Sequence, residues 1–195
     1  MKNKYQFNRA LHLMGVLLVV CLTSQVHAYS YSEAGKEPLI EGREALIGAL
    51  LSNDSKAAEQ ALISMTGELS QLERSMSVEL IRPLTVAIAK GQRPDVIKLM
   101  NKAFAAEIKH RLNEAEMSIN DYQKSKILVA KSKHFLGTII VELDDDDADS
   151  AQEAINKCLK ALGSPGVFGA GKEPASLEQF KTAKGILFES LQQFE

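Results

Sequence analysis

Tryptophan is absent from this 195-residue chain, cysteine occurs only twice and proline five times. No stretch alternates apolar and polar residues with the period of two that a half-buried strand requires, so no sheet is expected. Nor does any 34-residue block recur, as a tetratricopeptide array would demand. Beyond Leu22 there is no apolar run near the roughly 20 residues a membrane-spanning helix needs. Basic residues are not in excess either: 23 Lys and Arg face 25 Asp and Glu. Nucleic acid and anionic bilayers both select a basic surface, so neither is the expected partner.

Residues 1–28 read as an export signal rather than as fold. Lys2, Lys4 and Arg9 form its positive start and Leu11 to Leu22 its apolar core, while Val26-His27-Ala28 offers small side chains where a signal peptidase cuts. Cys21 is not read as a lipid-attachment site, because Val20 before it is too bulky. Cleavage after Ala28 leaves 167 residues, enough for one domain over 29–195 with a sizeable core. It predicts a periplasmic protein with no membrane span in its mature chain, a retained anchor being the alternative. Without Lys2, Lys4 and Arg9 the 23 basic residues fall to 20 against 25 acids, a net −5. Cys158 is then the only cysteine, which excludes an intramolecular disulfide. Sharing a helical face with Ala154, Ile155, Leu159 and Leu162, it is expected to be buried.

What the chain does contain is helical periodicity. Its centre is a hairpin from Pro94 to Leu143. Met100, Phe104, Ile108, Leu112, Ala115 and Ile119 recur at spacings of three or four and so share one face of the first arm. Tyr122, Val129, Leu136 and Leu143 repeat every seven residues in the second, with Ser125, Ser132 and Ile139 between them, the pattern of a bundle seam. Ser118-Ile119-Asn120-Asp121 turns the chain, with Asn120 or Ser118 as the expected cap. So short a turn makes the arms antiparallel neighbours.

Around the hairpin, helices are predicted from about Pro38 to Leu51, from Ser55 to about Arg74, and from Ala148 to Leu162. A last one opens at the capping box Ser176-Leu177-Glu178-Gln179 and carries Phe180, Ile186, Leu187, Leu191 and Phe194. Pro83 predicts a kink or a fresh start, with an end at Lys90-Gly91. Asp144-Asp145-Asp146-Asp147 lacks the spacers and glycine of a calcium loop and reads as carboxylates facing a helix N-terminus. Gly163 to Lys172 has the spacing of a nucleotide loop at Gly166 and Gly171-Lys172. Glu173 and Pro174 replace the hydroxyl and the helix, however, and nucleotide binding is rejected. Val167 and Phe168 are expected to plug the end of the bundle. The fold class is therefore all-α, an up-and-down bundle of five to seven helices.

One constellation points to chemistry. Glu107 and His110 form a Glu-x-x-His pair, the spacing by which one helix of a carboxylate-bridged metal bundle presents two ligands. The hairpin register returns His134 level with positions 105 to 107, and Glu114 lies one or two turns away. Glu107, His110, His134 and Glu114 are thus the candidate ligands of a divalent transition metal such as iron, zinc or copper. Against them stands the reading of ordinary seam-edge polar residues, since a di-iron bundle needs two such helices and only one Glu-x-x-His occurs.

Glu37-Pro38-Leu39-Ile40-Glu41-Gly42-Arg43-Glu44-Ala45-Leu46 and Asp121-Tyr122-Gln123-Lys124-Ser125-Lys126 resemble exported all-helical domains associated with bacterial high-affinity iron permeases. The likeness runs loosely from Gly35 to Leu143. Arg43-Glu44 is similar to the Arg-Glu-x-x-Glu motif of the permeases themselves, but Ile47 stands where the second glutamate belongs, so no iron ligand is carried over. The resemblance implies an accessory role in periplasmic metal handling.

Two functions follow as expectations. The first is an exported, non-enzymatic module that binds a partner protein, membrane-embedded in one version, within a membrane or transport assembly. The second is an iron-handling accessory protein with the Glu/His site between two antiparallel helices. No catalytic residue and no organic cofactor is assigned, because neither mature-chain histidine has a recognisable triad spacing.

Overall fold

Short polar side chains decide where the helices begin. The computed structural model describes residues 37–166 and 171–195, and within them the chain forms seven α-helices. These are α1 (Pro38–Leu51), α2 (Ser55–Met76), α3 (Ile81–Ala89), α4 (Arg93–Met117), α5 (Tyr122–Ile139), α6 (Asp145–Ala161) and α7 (Leu177–Ser190). The export signal, Tyr29 to Lys36 and the pair Val167–Phe168 lie outside the described residues. Asp54 accepts the N–H of Ala57 at 2.9 Å, Asp144 that of Asp147 at 3.0 Å and Ser176 that of Gln179 at 3.3 Å. Each satisfies an N–H left free by the first turn of its helix. Pro38 and Pro94 occupy first-turn positions of α1 and α4, where the missing donor is not needed. Pro83, third residue of α3, is tolerated for the same reason, so the chain starts afresh there instead of kinking.

Several boundaries differ from expectation. The cap of α5 is Asp121, which accepts the N–H of Lys124 at 3.1 Å, not Asn120 or Ser118. Ser118 instead ends α4, its carbonyl taking the N–H of Asp121 at 2.8 Å and the hydroxyl of Ser125 at 2.6 Å. The box at Ser176 is half made, because its own N–H donates to the carbonyl of Ala161 at 2.8 Å and leaves nothing for Gln179 to accept. Helix α5 stops at Ile139 and passes into a 3-10 turn, Ile140–Glu142, so Leu143 is buried beyond the helix rather than on it. Ile186 sits on the exposed edge of α7.

The bundle is built from three hairpins, α1–α2, α4–α5 and α6–α7, with α3 joining the first to the second. Helix α4 packs against α1, α2, α3, α5 and α7, and Met100, Phe104, Ile108, Leu112 and Ala115 are fully buried along it. Apart from half-buried Tyr122, the seam of α5 is buried too, including both serines, Ser125 and Ser132. They are admitted because each hydroxyl donates to a backbone carbonyl, Ser125 to Ala115 and Ser118, Ser132 to Leu128. Gly42 sets the approach of α1 to α2: a Cβ there would lie 2.2 Å from Cγ of the fully buried Met65.

Gly163 closes α6 with φ +68°, and a Cβ on it would meet the carbonyl oxygen of Glu173 at 2.3 Å. Ser164 and Glu173 exchange two backbone hydrogen bonds of 2.9 Å, an isolated antiparallel bridge that pins both ends of the glycine-rich loop. No strand forms among the described residues beyond that bridge, and no described helix is long and apolar enough to cross a membrane.

Candidate functional site

The four expected metal ligands do not converge. Glu107 is buried, and its carboxylate accepts from Nε of Arg111, one turn further along α4. His110 is half-buried and faces Glu114, Nε2 to Oε1 at 3.7 Å. His134 is exposed on the outer side of α5. Among the described residues no three His, Cys, Asp or Glu side chains lie together as a metal site. His134 faces away from the seam, because Ser132, Phe135 and Leu136 take the inward positions.

Where the metal site was expected, an ion network stands. Arg111 donates from Nη2 to Glu37 at 2.8 Å and from Nε to Glu107, and Lys131 reaches the other Glu37 oxygen at 3.0 Å. Side chains of all four are less than a fifth exposed. The network ties the start of α1 to α4 and α5. Beneath it the Arg111 guanidinium lies 5.0 Å from the ring centroid of Phe135, which meets Phe104 edge-on at 5.0 Å. Arg43 covers the Phe104 ring at 5.8 Å. Every member is held by another, which is the arrangement of a structural clamp. None of it was read from the sequence, although Glu107 and Arg111 have the i,i+4 spacing of a helical ion pair.

The other motifs are also accounted for locally. Asp144 caps α6 with Asp145, Asp146 and Asp147 in its first turn, as carboxylates at a positive dipole end should be. Cys158 is fully buried, and burial pushes its thiol up from 9.0 to about 12. Such a thiol is held protonated and is a poor nucleophile. Lys184 donates to Asn113 at 2.8 Å and to Glu116, and that hydrogen bond holds the Glu116 carboxyl below its ordinary value.

A surface feature remains. Helix α3 is nine residues long and turns Leu84, Ala87 and Ile88 into the core, which leaves its other flank facing out. Its first turn is fixed by Glu73 of α2, whose carboxylate accepts the N–H groups of Leu80 and Ile81 at 2.7 and 2.8 Å. Two shallow depressions adjoin along that flank and share Arg82 and Val86. One is floored by Val78 and Ile81, the other by Pro83, Ala87 and Leu99. Val86 between them is 47 % exposed. Around the rim Arg82 pairs with Glu79 at 2.6 Å, whereas Lys90, Lys98 and Asp95 make no ion pair among the described residues. The sequence hid this strip, since Val78 to Leu99 spans two helices and their linker.

No protein-family model, no curated protein and no solved structure matches this chain.

Proposed function

We propose that this protein is an exported, non-enzymatic helical module that binds a partner protein within a membrane or transport assembly. The observation that carries the reading is the apolar strip along α3, with Val86 nearly half exposed between two depressions and charges of both signs around it. An apolar centre inside a charged rim is the composition of a protein-binding patch. The export pattern of residues 1–28 and the resemblance of residues 37–46 and 121–126 to permease-associated helical domains support an extracytoplasmic accessory role. Purification of the tagged full chain from the periplasm, followed by size-exclusion chromatography with light scattering, tests the proposal. A retained protein at fixed stoichiometry, with Tyr29 as the mature N-terminus, is the expected result. A strictly monomeric protein with nothing bound, or one recovered from the cytosol with Met1 intact, would overturn it.

A second reading, iron or other metal handling, rests on the His110–Glu114 pair in place of the four-residue set. Neutral imidazole and carboxylate are competent donors for divalent transition metals. Calorimetry with iron, zinc and copper on wild type and His110→Ala decides it, and equal heats from the two proteins would remove the site.

A further inference from the structure

Building on that partner-binding reading, we propose that the depression between α3 and the first turns of α4 receives an acidic amphipathic helix of the partner. The apolar part of the argument is the exposed Val86 with Pro83 and Leu99 beside it, a shallow channel between α3 and the first turns of α4. A channel flanked by two helices takes a third in the way helices pack, with ridges in grooves at about 8–10 Å between axes. The charged part is the rim. Lys90 and Lys98 are exposed and have no counter-ion among the described residues, and Asp95 is the only acid that lines the same depression. A local basic excess on a chain whose formal net charge is −2 selects an occupant with carboxylates along its edges. The apolar lining between two helices suits a rod with an apolar face, and the vesicle arm of the test separates it from an anionic bilayer. Nucleic acid would leave the apolar floor unused.

The test uses the full chain and a fluorescent synthetic helix of about 18 residues, leucines on one face and glutamates on the other, with a lysine-faced counterpart as control. Anisotropy is expected to show saturable binding of the glutamate peptide and little of the lysine peptide. Lys90→Glu with Lys98→Glu should weaken binding roughly tenfold or more. Val86→Asp, at a position 47 % exposed and with circular dichroism to check that the fold is kept, should abolish it. Equal binding of both peptides, no binding of either, indifference to the substitutions, or preferential binding of phosphatidylglycerol vesicles would each overturn the proposal. A photo-crosslinker placed at Val86 and, separately, at the 70 % exposed Ile63 of α2 in exporting cells keeps the two claims apart. Adducts at Ile63 alone would sink the α3 site and spare the partner-binding reading, while silence at both positions would sink both.

Discussion

Arg111 and Glu37, 74 positions apart in sequence, meet at 2.8 Å in a partly buried ion pair that also holds Glu107 and Lys131. Arg111 is the shared member. Its removal strands the buried Glu107 carboxylate and leaves Glu37 with Lys131 alone, so Arg111→Met should cost about 3–5 kcal/mol in a urea unfolding titration. Adding Glu107→Gln to that variant should recover part of the loss, because the uncompensated charge is then gone. A cost below about 1 kcal/mol for the single change, the level of an exposed pair, would show that the network is solvated and not a clamp.

Gly42 lets α1 and α2 touch. In Gly42→Ala the new methyl overlaps Met65, and the overpacked joint should lose about 1–3 kcal/mol. Gly42→Ala combined with Met65→Ala should be more stable than the sum of the two single losses predicts, since each change makes room for the other. Thermal melts of the three variants supply the cycle.

The raised thiol of Cys158 makes a prediction at the alkaline end. Its folded value of about 12 lies above the ordinary 9.0, so the folded state keeps a proton that the unfolded state releases. That contribution is whole below pH 9 and is lost as pH rises towards 12. Stability of wild type should therefore fall over this window more steeply than that of Cys158→Ala. At pH 8 the native thiol should resist an aromatic disulfide reagent that modifies it at once in urea.

Glu116 works at the other end of the scale. With its carboxyl held low by Lys184, it stabilises the fold above the ordinary carboxylate value of 4.5 and loses that contribution as pH falls below it. Glu116→Gln should flatten the acid limb of the stability curve while leaving its alkaline limb unchanged. Denaturant midpoints measured from pH 7 to pH 2 give the comparison.

Much of the architecture was legible because it depends on local pattern. The α4 stripe and the α5 heptad follow from helical periodicity, and Pro38, Asp54, Gly91 and Gly163 mark helix ends by backbone geometry that any environment would require. The burial of Cys158 was legible for the same reason. The site was not. Sequence spacing gave His134 its height along the hairpin, but which way it faces depends on how α5 is rolled against α4. That roll is set by Phe135 packing on Phe104 and by Ser125 reaching the end of α4. Nothing in the sequence singled out Glu37 as a buried ion-pair partner, and only the tertiary fold brings Arg111 and Lys131 to it. Distance along the chain carries no hint of such pairings.

The Ser164–Glu173 bridge has a consequence for the glycine-rich segment it closes. Paired backbone hydrogen bonds between Ser164 and Glu173 and the tight corner at Gly163 fasten the end of α6 to the chain that leads into α7. Closure entropy rises slowly with ring size, so a longer insert would cost little. This makes the segment a natural splice point. An epitope tag or a reporter domain added inside the bridge should leave the helices seated, and would let the protein be followed in living cells.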